Sequence, residues 1–85
     1  GGDAGGSHTT GILNTYIGVN AGNSATTGAN NTLVGQSAGS TIVSGGSNIC
    51  VGRASDCAHD SANSITIGVG ITGVGDNFKF GKASY

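Results

Sequence analysis

Cys50, Cys57, His59 and Asp60 lie close together and form the one cluster in the sequence whose residue types could do chemistry. Three kinds of chemistry draw on such a set. With six residues between them, the cysteines can meet across one corner of the chain as a disulfide, or they can pack as free thiols that behave as small apolar groups. The spacing leaves both open. Zinc takes four N or S ligands in tight spacing, commonly with a Cys-x2-Cys pair, and this cluster offers three good ones. A threefold assembly that repeated a single histidine at its axis keeps that route from closing altogether. A nucleophilic set is disfavoured, because Cys57, His59 and Asp60 are sequence neighbours whereas catalytic partners converge from separate elements. The segment is therefore read as a polar, exposed loop with no metal, no cofactor and no catalytic residue. Glycoside cleavage needs two carboxylates at a controlled separation, and the chain has no glutamate and four scattered aspartates, Asp3, Asp56, Asp60 and Asp76. The glycines form no phosphate loop, since no Gly-x4-Gly-Lys-Ser/Thr string occurs. Asn30-Asn31-Thr32 satisfies a glycosylation sequon but sits inside a repeat, where asparagine already has a structural role. An enzyme is not expected.

What positions these residues is a pentad ending in glycine that recurs five times: Asn14-Thr15-Tyr16-Ile17-Gly18, Asn31-Thr32-Leu33-Val34-Gly35, Asn48-Ile49-Cys50-Val51-Gly52, Ser64-Ile65-Thr66-Ile67-Gly68 and Asn77-Phe78-Lys79-Phe80-Gly81. Gly, Ser, Thr, Asn and Ala make up well over half of the 85 residues, a composition that without order would suit a flexible linker. Two facts oppose that: proline is absent, and the β-branched apolar residues keep a fixed phase relative to glycine. The pentad glycines Gly18, Gly35, Gly52, Gly68 and Gly81 give successive steps of 17, 17, 16 and 13 residues. A hairpin meander would space strands about 8–12 residues apart with tight turns, whereas a coil of a parallel solenoid needs short strands plus corners. Gly22 to Gly28 and Gly39 to Gly45 are equally long connectors, with glycine and asparagine to supply the positive backbone angles that corners demand. Stacked asparagines at the pentad starts are expected to bond one another up the ladder.

Strand side chains alternate faces, so the residues one and three before each glycine share a side. That side carries Thr15/Ile17, Thr32/Val34, Ile49/Val51, Ile65/Ile67 and Phe78/Phe80, and its apolar members Ile17, Val34, Ile49, Val51, Ile65, Ile67, Phe78 and Phe80 are predicted to face the core, with the Phe pair plugging the end of the stack. The middle residues, Tyr16, Leu33, Cys50, Thr66 and Lys79, are mixed in character. The sequence thus predicts an all-β chain, a parallel β-roll or β-solenoid of about five coils. Residues 1–8 read as a flexible linker or the cut edge of a longer chain, 9–55 as regular repeats, and 56–85 as irregular last coils with a C-terminal plug. Ten inward residues make a thin core for this length, and packing against further copies is the simplest remedy, with Leu33, Val19 and Val69 available to neighbours around an axis.

Three basic and four acidic residues leave a formal net charge of -1. Arg53, Lys79 and Lys82 make no basic stripe, so neither nucleic acid nor an anionic membrane is an expected partner. No segment approaches the roughly 20 apolar residues that cross a bilayer, and no membrane insertion is expected.

Asn63-Ser64-Ile65-Thr66-Ile67-Gly68 resembles the Asn-Ser-Val-Ala-Ile-Gly signature of trimeric autotransporter adhesin heads. The segments Asn14 to Gly22 and Asn31 to Gly39, joined through Thr26-Thr27-Gly28-Ala29-Asn30, resemble repeats of bacteriophage tail fibres. Asp76-Asn77-Phe78-Lys79-Phe80-Gly81-Lys82 is similar to the stretch just upstream of the self-cleaving intramolecular chaperone that trimerises such fibres. The resemblance covers about residues 9–82. It departs at Arg53-Ala54-Ser55-Asp56, where the earlier repeats end in Ala-Gly, and in the final short step. It implies left-handed coils in a homotrimer, two further copies as partners, a host-surface glycan or protein as receptor, and an extracellular place on the virion. A bacterial surface adhesin head is the alternative. An ice-binding solenoid is a minor one, suggested by Thr9-Thr10 and Thr26-Thr27 but weakened at Val43-Ser44. Tyr16, Arg53, His59 and Tyr85 are the bulky or charged outward candidates for receptor contact, and no receptor-binding residue can be assigned.

Overall fold

The computed structural model describes residues 2–57, 62–73 and 77–81. Within them lie seven strands: β1 (Thr15–Ile17), β2 (Thr32–Val34), β3 (Ile49–Val51), β4 (Asp56–Cys57), β5 (Ile65–Ile67), β6 (Thr72–Gly73) and β7 (Phe78–Phe80). β1, β2, β3, β5 and β7 form one parallel sheet in that order, and β4 and β6 pair in a second. Every pairing is in register, so Thr15, Thr32, Ile49, Ile65 and Phe78 stack as one column. The chain is a parallel β-solenoid of about four turns, and the five pentads are the rungs of its longer sheet.

The pentad glycine is what lets the chain leave the sheet on each turn. Gly35 has φ +130, a conformation L side chains rarely adopt, and a Cβ built on it would stand 2.6 Å from the carbonyl oxygen of Gly52. The close approach of one turn's corner to the next thus requires the missing side chain. Further left-handed positions recur at fixed phase: Asn20 (φ 61), Ser37 (φ 59) and Ala54 (φ 57) after the glycine, and Leu13 (φ 60), Asn30 (φ 63), Ser47 (φ 59) and Asn63 (φ 58) before the next strand. Three of these seven are asparagine, the non-glycine residue that tolerates this region best.

The asparagine ladder forms, but not amide to amide. Asn14 Oδ1 accepts from the backbone N–H of Asn31 at 2.8 Å while its Nδ2 donates to the carbonyl of Gly28 at 2.8 Å. Asn31 repeats this with the Asn48 N–H at 3.0 Å and the Gly45 carbonyl at 2.9 Å. Asn48 Oδ1 then accepts from Ser64 N–H at 3.0 Å. Each amide satisfies the backbone of the next turn at a buried corner, where an unmet N–H or C=O would be costly.

The core lies on the side opposite to the one predicted. Leu33, Cys50 and Thr66, the middle pentad residues, are fully buried, together with Ala21, Ala25, Ala38, Ile42 and Cys57 from the facing wall. The predicted core-facing set is corrected accordingly: Ile17 is 57% exposed, Ile49 38%, Phe78 67% and Phe80 57%, while Val34, Val51, Ile65 and Ile67 are half-buried between their stacked neighbours. A flattened coil with three-residue strands admits one inward side chain per strand, and the opposite wall fills the remaining space with its own. Leu33 is therefore interior and unavailable to a neighbouring copy. The Phe pair is not a plug: its rings lie outside with centroids 6.4 Å apart, and the inward residue of β7 is Lys79, whose Nζ donates to the Thr72 carbonyl at 3.1 Å.

The linker reading of 1–8 is corrected as far as residues 2–8 are described. Gly5 N–H donates to Ala21 O and Asn20 N–H to Gly2 O, both at 2.9 Å, so this segment lies on the second turn as residues 19–25 lie on the third. Of the residues singled out above, His59, Asp60, Asp76, Lys82 and Tyr85 lie outside the described residues.

Candidate functional site

Two features are built by this stacking: an apolar outer face on the long sheet, and a buried thiol pair where the repeat changes.

The outer face arises because each three-residue strand sends its first and third side chains away from the core. In register, these form two columns of five, Thr15 to Phe78 and Ile17 to Phe80, over a height of about 19 Å at the usual strand spacing. Apart from Thr15 and Thr32, every member is Ile, Val or Phe. No member carries a charge. Along one border, Val19 (50% exposed) and Val69 (49%) continue the apolar surface, with Arg53 as the charged residue between them. A solvent-facing apolar sheet surface of this kind marks an interaction site more often than a free surface.

Of the outward candidates for receptor contact, Arg53 is exposed. Tyr16 is not outward. It occupies the inward column of β1 and closes the N-terminal end of the core against His8, edge to face with ring centroids 5.9 Å apart and its hydroxyl 3.4 Å from His8 Nδ1. Burial pushes its phenol above the usual range. His8 Nε2 also meets the carbonyl oxygen of Gly11. An open depression beside this pair, lined by Ala4, Leu13 and Asn14, holds no other titratable side chain.

The thiol pair sits in the interior. Cys50 on β3 and Cys57 on β4 are free thiols, both fully buried, with sulfurs 2.7 Å apart, and Thr66 Oγ1 lies 3.6 Å from Cys57 Sγ. Beside them is the buried carboxylate of Asp56. It accepts from Thr41 Oγ1 and from the Cys57 N–H, each at 2.9 Å, and from the Thr41 N–H at 3.3 Å. Withdrawal from water pushes its pKa up, and the hydrogen bonds from Thr41 and Cys57 only partly offset this. An acid whose folded pKa is raised favours the fold most when protonated, so its contribution is full below the ordinary value of 3.8 and is lost as pH rises through the folded value. Asp56 is thus expected to make the chain more stable on mild acidification, and Asp56→Asn to remove that slope. Urea midpoints of the two proteins measured across the acid range check it, and identical slopes would refute the assignment.

Among the described residues no group of three His, Cys, Asp or Glu side chains could hold a metal ion, and no helix is long and apolar enough to cross a membrane. The structure brings together Cys50 and Cys57 from the sequence cluster. What sequence reasoning missed is the buried Asp56–Thr41 contact and the apolar outer face itself. Comparison with protein-family models, curated proteins and solved structures finds no match to this chain.

Proposed function

We propose that this chain is a structural and receptor-binding segment of a trimeric phage tail fibre, which attaches the virion to a glycan or protein of the host surface. In this reading its coils are left-handed and three copies pack through the outer face of the long sheet. The observation that carries it is that face: two apolar, uncharged columns with Ile17, Ile49, Phe78 and Phe80 substantially in solvent. Closed cyclic packing buries such a surface and leaves no open series of contacts to propagate. The tail-fibre resemblance of Asn14 to Gly39, and that of Asp76 to Lys82 to the stretch before a chaperone, supply the virion. A stiff rod present in many copies then converts weak single contacts into firm attachment through effective concentration.

The Asn63 to Gly68 segment favours a second reading, the head of a bacterial trimeric surface adhesin, which uses the same packing. An ice-binding surface is disfavoured by the side chains: the Thr9 and Thr26 hydroxyls donate to the carbonyls of Thr26 and Val43, and the threonine column ends at Val43. The mass in solution tests the assembly. Sedimentation equilibrium is expected to give three times the chain mass of 8.1 kDa, and a monomer would sink the trimer. The gene downstream of residue 85 separates the two carriers: a chaperone-autoprotease supports the fibre, a membrane anchor the adhesin.

A further inference from the structure

We propose that Cys50 and Cys57 form a reversible intrachain disulfide that ties β3 to β4 through the interior of the solenoid, made by exchange with a low-molecular-weight disulfide such as oxidised glutathione. The argument rests on placement. Cys50 stands in the column that Leu33 fills one turn earlier, and Cys57 in the facing wall where Ile42 stands, so two adjoining core positions have exchanged aliphatic side chains for thiols. The corner between them is also altered. Ile42 follows Leu33 by nine positions, whereas Cys57 follows Cys50 by seven. The shorter corner is held by the Asp56 carboxylate on Thr41, and by the Thr41 hydroxyl, which donates to the Cys57 carbonyl at 3.2 Å as well as to the carboxylate. Two thiols are thus held side by side and away from solvent, with their sulfurs 2.7 Å apart.

The chemistry balances without further reagents. The Cys57 thiolate attacks one sulfur of oxidised glutathione, breaking its S–S bond, and the expelled glutathione thiolate takes up a proton. Cys50 then loses its proton and its sulfur attacks the Cys57 sulfur of the mixed disulfide, so that the second glutathione leaves and is protonated in turn. Two protein thiols are oxidised and one small disulfide is reduced to two thiols. Cys57 attacks first because it lies on two-residue β4 of the smaller sheet, whereas Cys50 lies on β3 inside the five-stranded sheet. Because neither sulfur reaches solvent, exchange in the folded chain waits on opening of β4 and β6, the two-residue strands of the smaller sheet.

Arg53 lies between the two cysteines and is exposed, so trypsin reports the bond directly. The whole chain is incubated with oxidised glutathione, once folded and once during refolding from urea, then alkylated in denaturant and digested without reduction. The expected product is a chain lighter by two hydrogens whose peptides ending at Arg53 and at Lys79 remain joined and separate on reduction. Its Tm falls when a reductant is added, whereas Cys50→Ser and Cys57→Ser show no such fall. A joined pair in either arm supports the bond. Two alkylated thiols in both arms, a persistent glutathione adduct or a link between two chains would overturn it.

Discussion

Gly35→Ala is expected to disrupt the middle of the solenoid at a cost of about 3–5 kcal/mol, more than a chain of this size readily tolerates. Two independent penalties combine. The residue sits at φ +130, where an L side chain is strained by about 1–3 kcal/mol. Its new Cβ would lie 2.6 Å from the carbonyl oxygen of Gly52 and 2.7 Å from its carbonyl carbon, backbone atoms that cannot rotate away. Displacing Gly52 moves a corner that itself closes on Gly68, whose carbonyl oxygen lies 2.0 Å from the site of a Gly52 Cβ, so relief at one level is blocked at the next. Gly70→Ala is the matched control. Gly70 has φ +65 but nothing among the described residues within 4 Å of its Cβ site, so only conformational strain applies and about 1–2 kcal/mol is expected. Thermal and urea unfolding followed by far-ultraviolet circular dichroism measure both. Equal losses at the two sites would show that the stacked corners, and not backbone angle alone, have been misjudged.

The second large effect concerns the outer face. Ile49→Lys places a charge on the middle strand of the long sheet, at a position 38% exposed in the single chain. In one copy the ammonium reaches water along the sheet surface, and the cost is within about 0.5 kcal/mol. In a symmetric trimer packed through this face the substitution brings three like charges into an apolar contact with no partner, and association is expected to weaken by at least about 100-fold. The sedimentation mass then falls to that of one chain while the circular dichroism spectrum is kept. Leu33→Ala should behave in the opposite order: Leu33 is fully buried, and its truncation costs about 2–5 kcal/mol of folding stability before assembly is considered. A trimer that survives Ile49→Lys unchanged removes the outer face from the interface.

Much of the architecture was legible because it is a matter of spacing. The steps of 17, 17 and 16 residues between the first four pentads, glycine at each corner and the absence of proline suffice for a parallel, all-β repeat. The orientation of the strands about their own axes was not. In Thr32-Leu33-Val34 or Ile49-Cys50-Val51 both faces carry apolar residues, so counting hydrophobic side chains selects the more apolar face, Ile49 and Val51, which is the outer one. The core could be recognised only by pairing walls. Leu33 and Cys50 are buried together with Ala21, Ala38, Ile42 and Cys57, residues of the facing wall that no single strand displays. The ends misled for a related reason. Lys79 and Tyr16 belong to the inward column, and each is tolerated there because an end of the stack leaves its polar group a partner, the Thr72 carbonyl for Lys79 and the His8 ring for Tyr16. Asp56 was unreadable as a buried group, since nothing in its neighbours announces that Thr41, fifteen residues earlier, will meet it.

The amide ladder has a consequence for length. Because Asn31 hands its amide to the following turn just as Asn14 does, a 17-residue unit meets the same backbone partners above and below it. Inserting or deleting one such unit between β1 and β3 would change the height by about 4.8 Å and leave the interior composition of the remaining turns as it was. Reach is therefore adjustable in whole steps, independently of the outer surface each turn presents, and the thiol-bearing corner after β3 marks where that freedom stops.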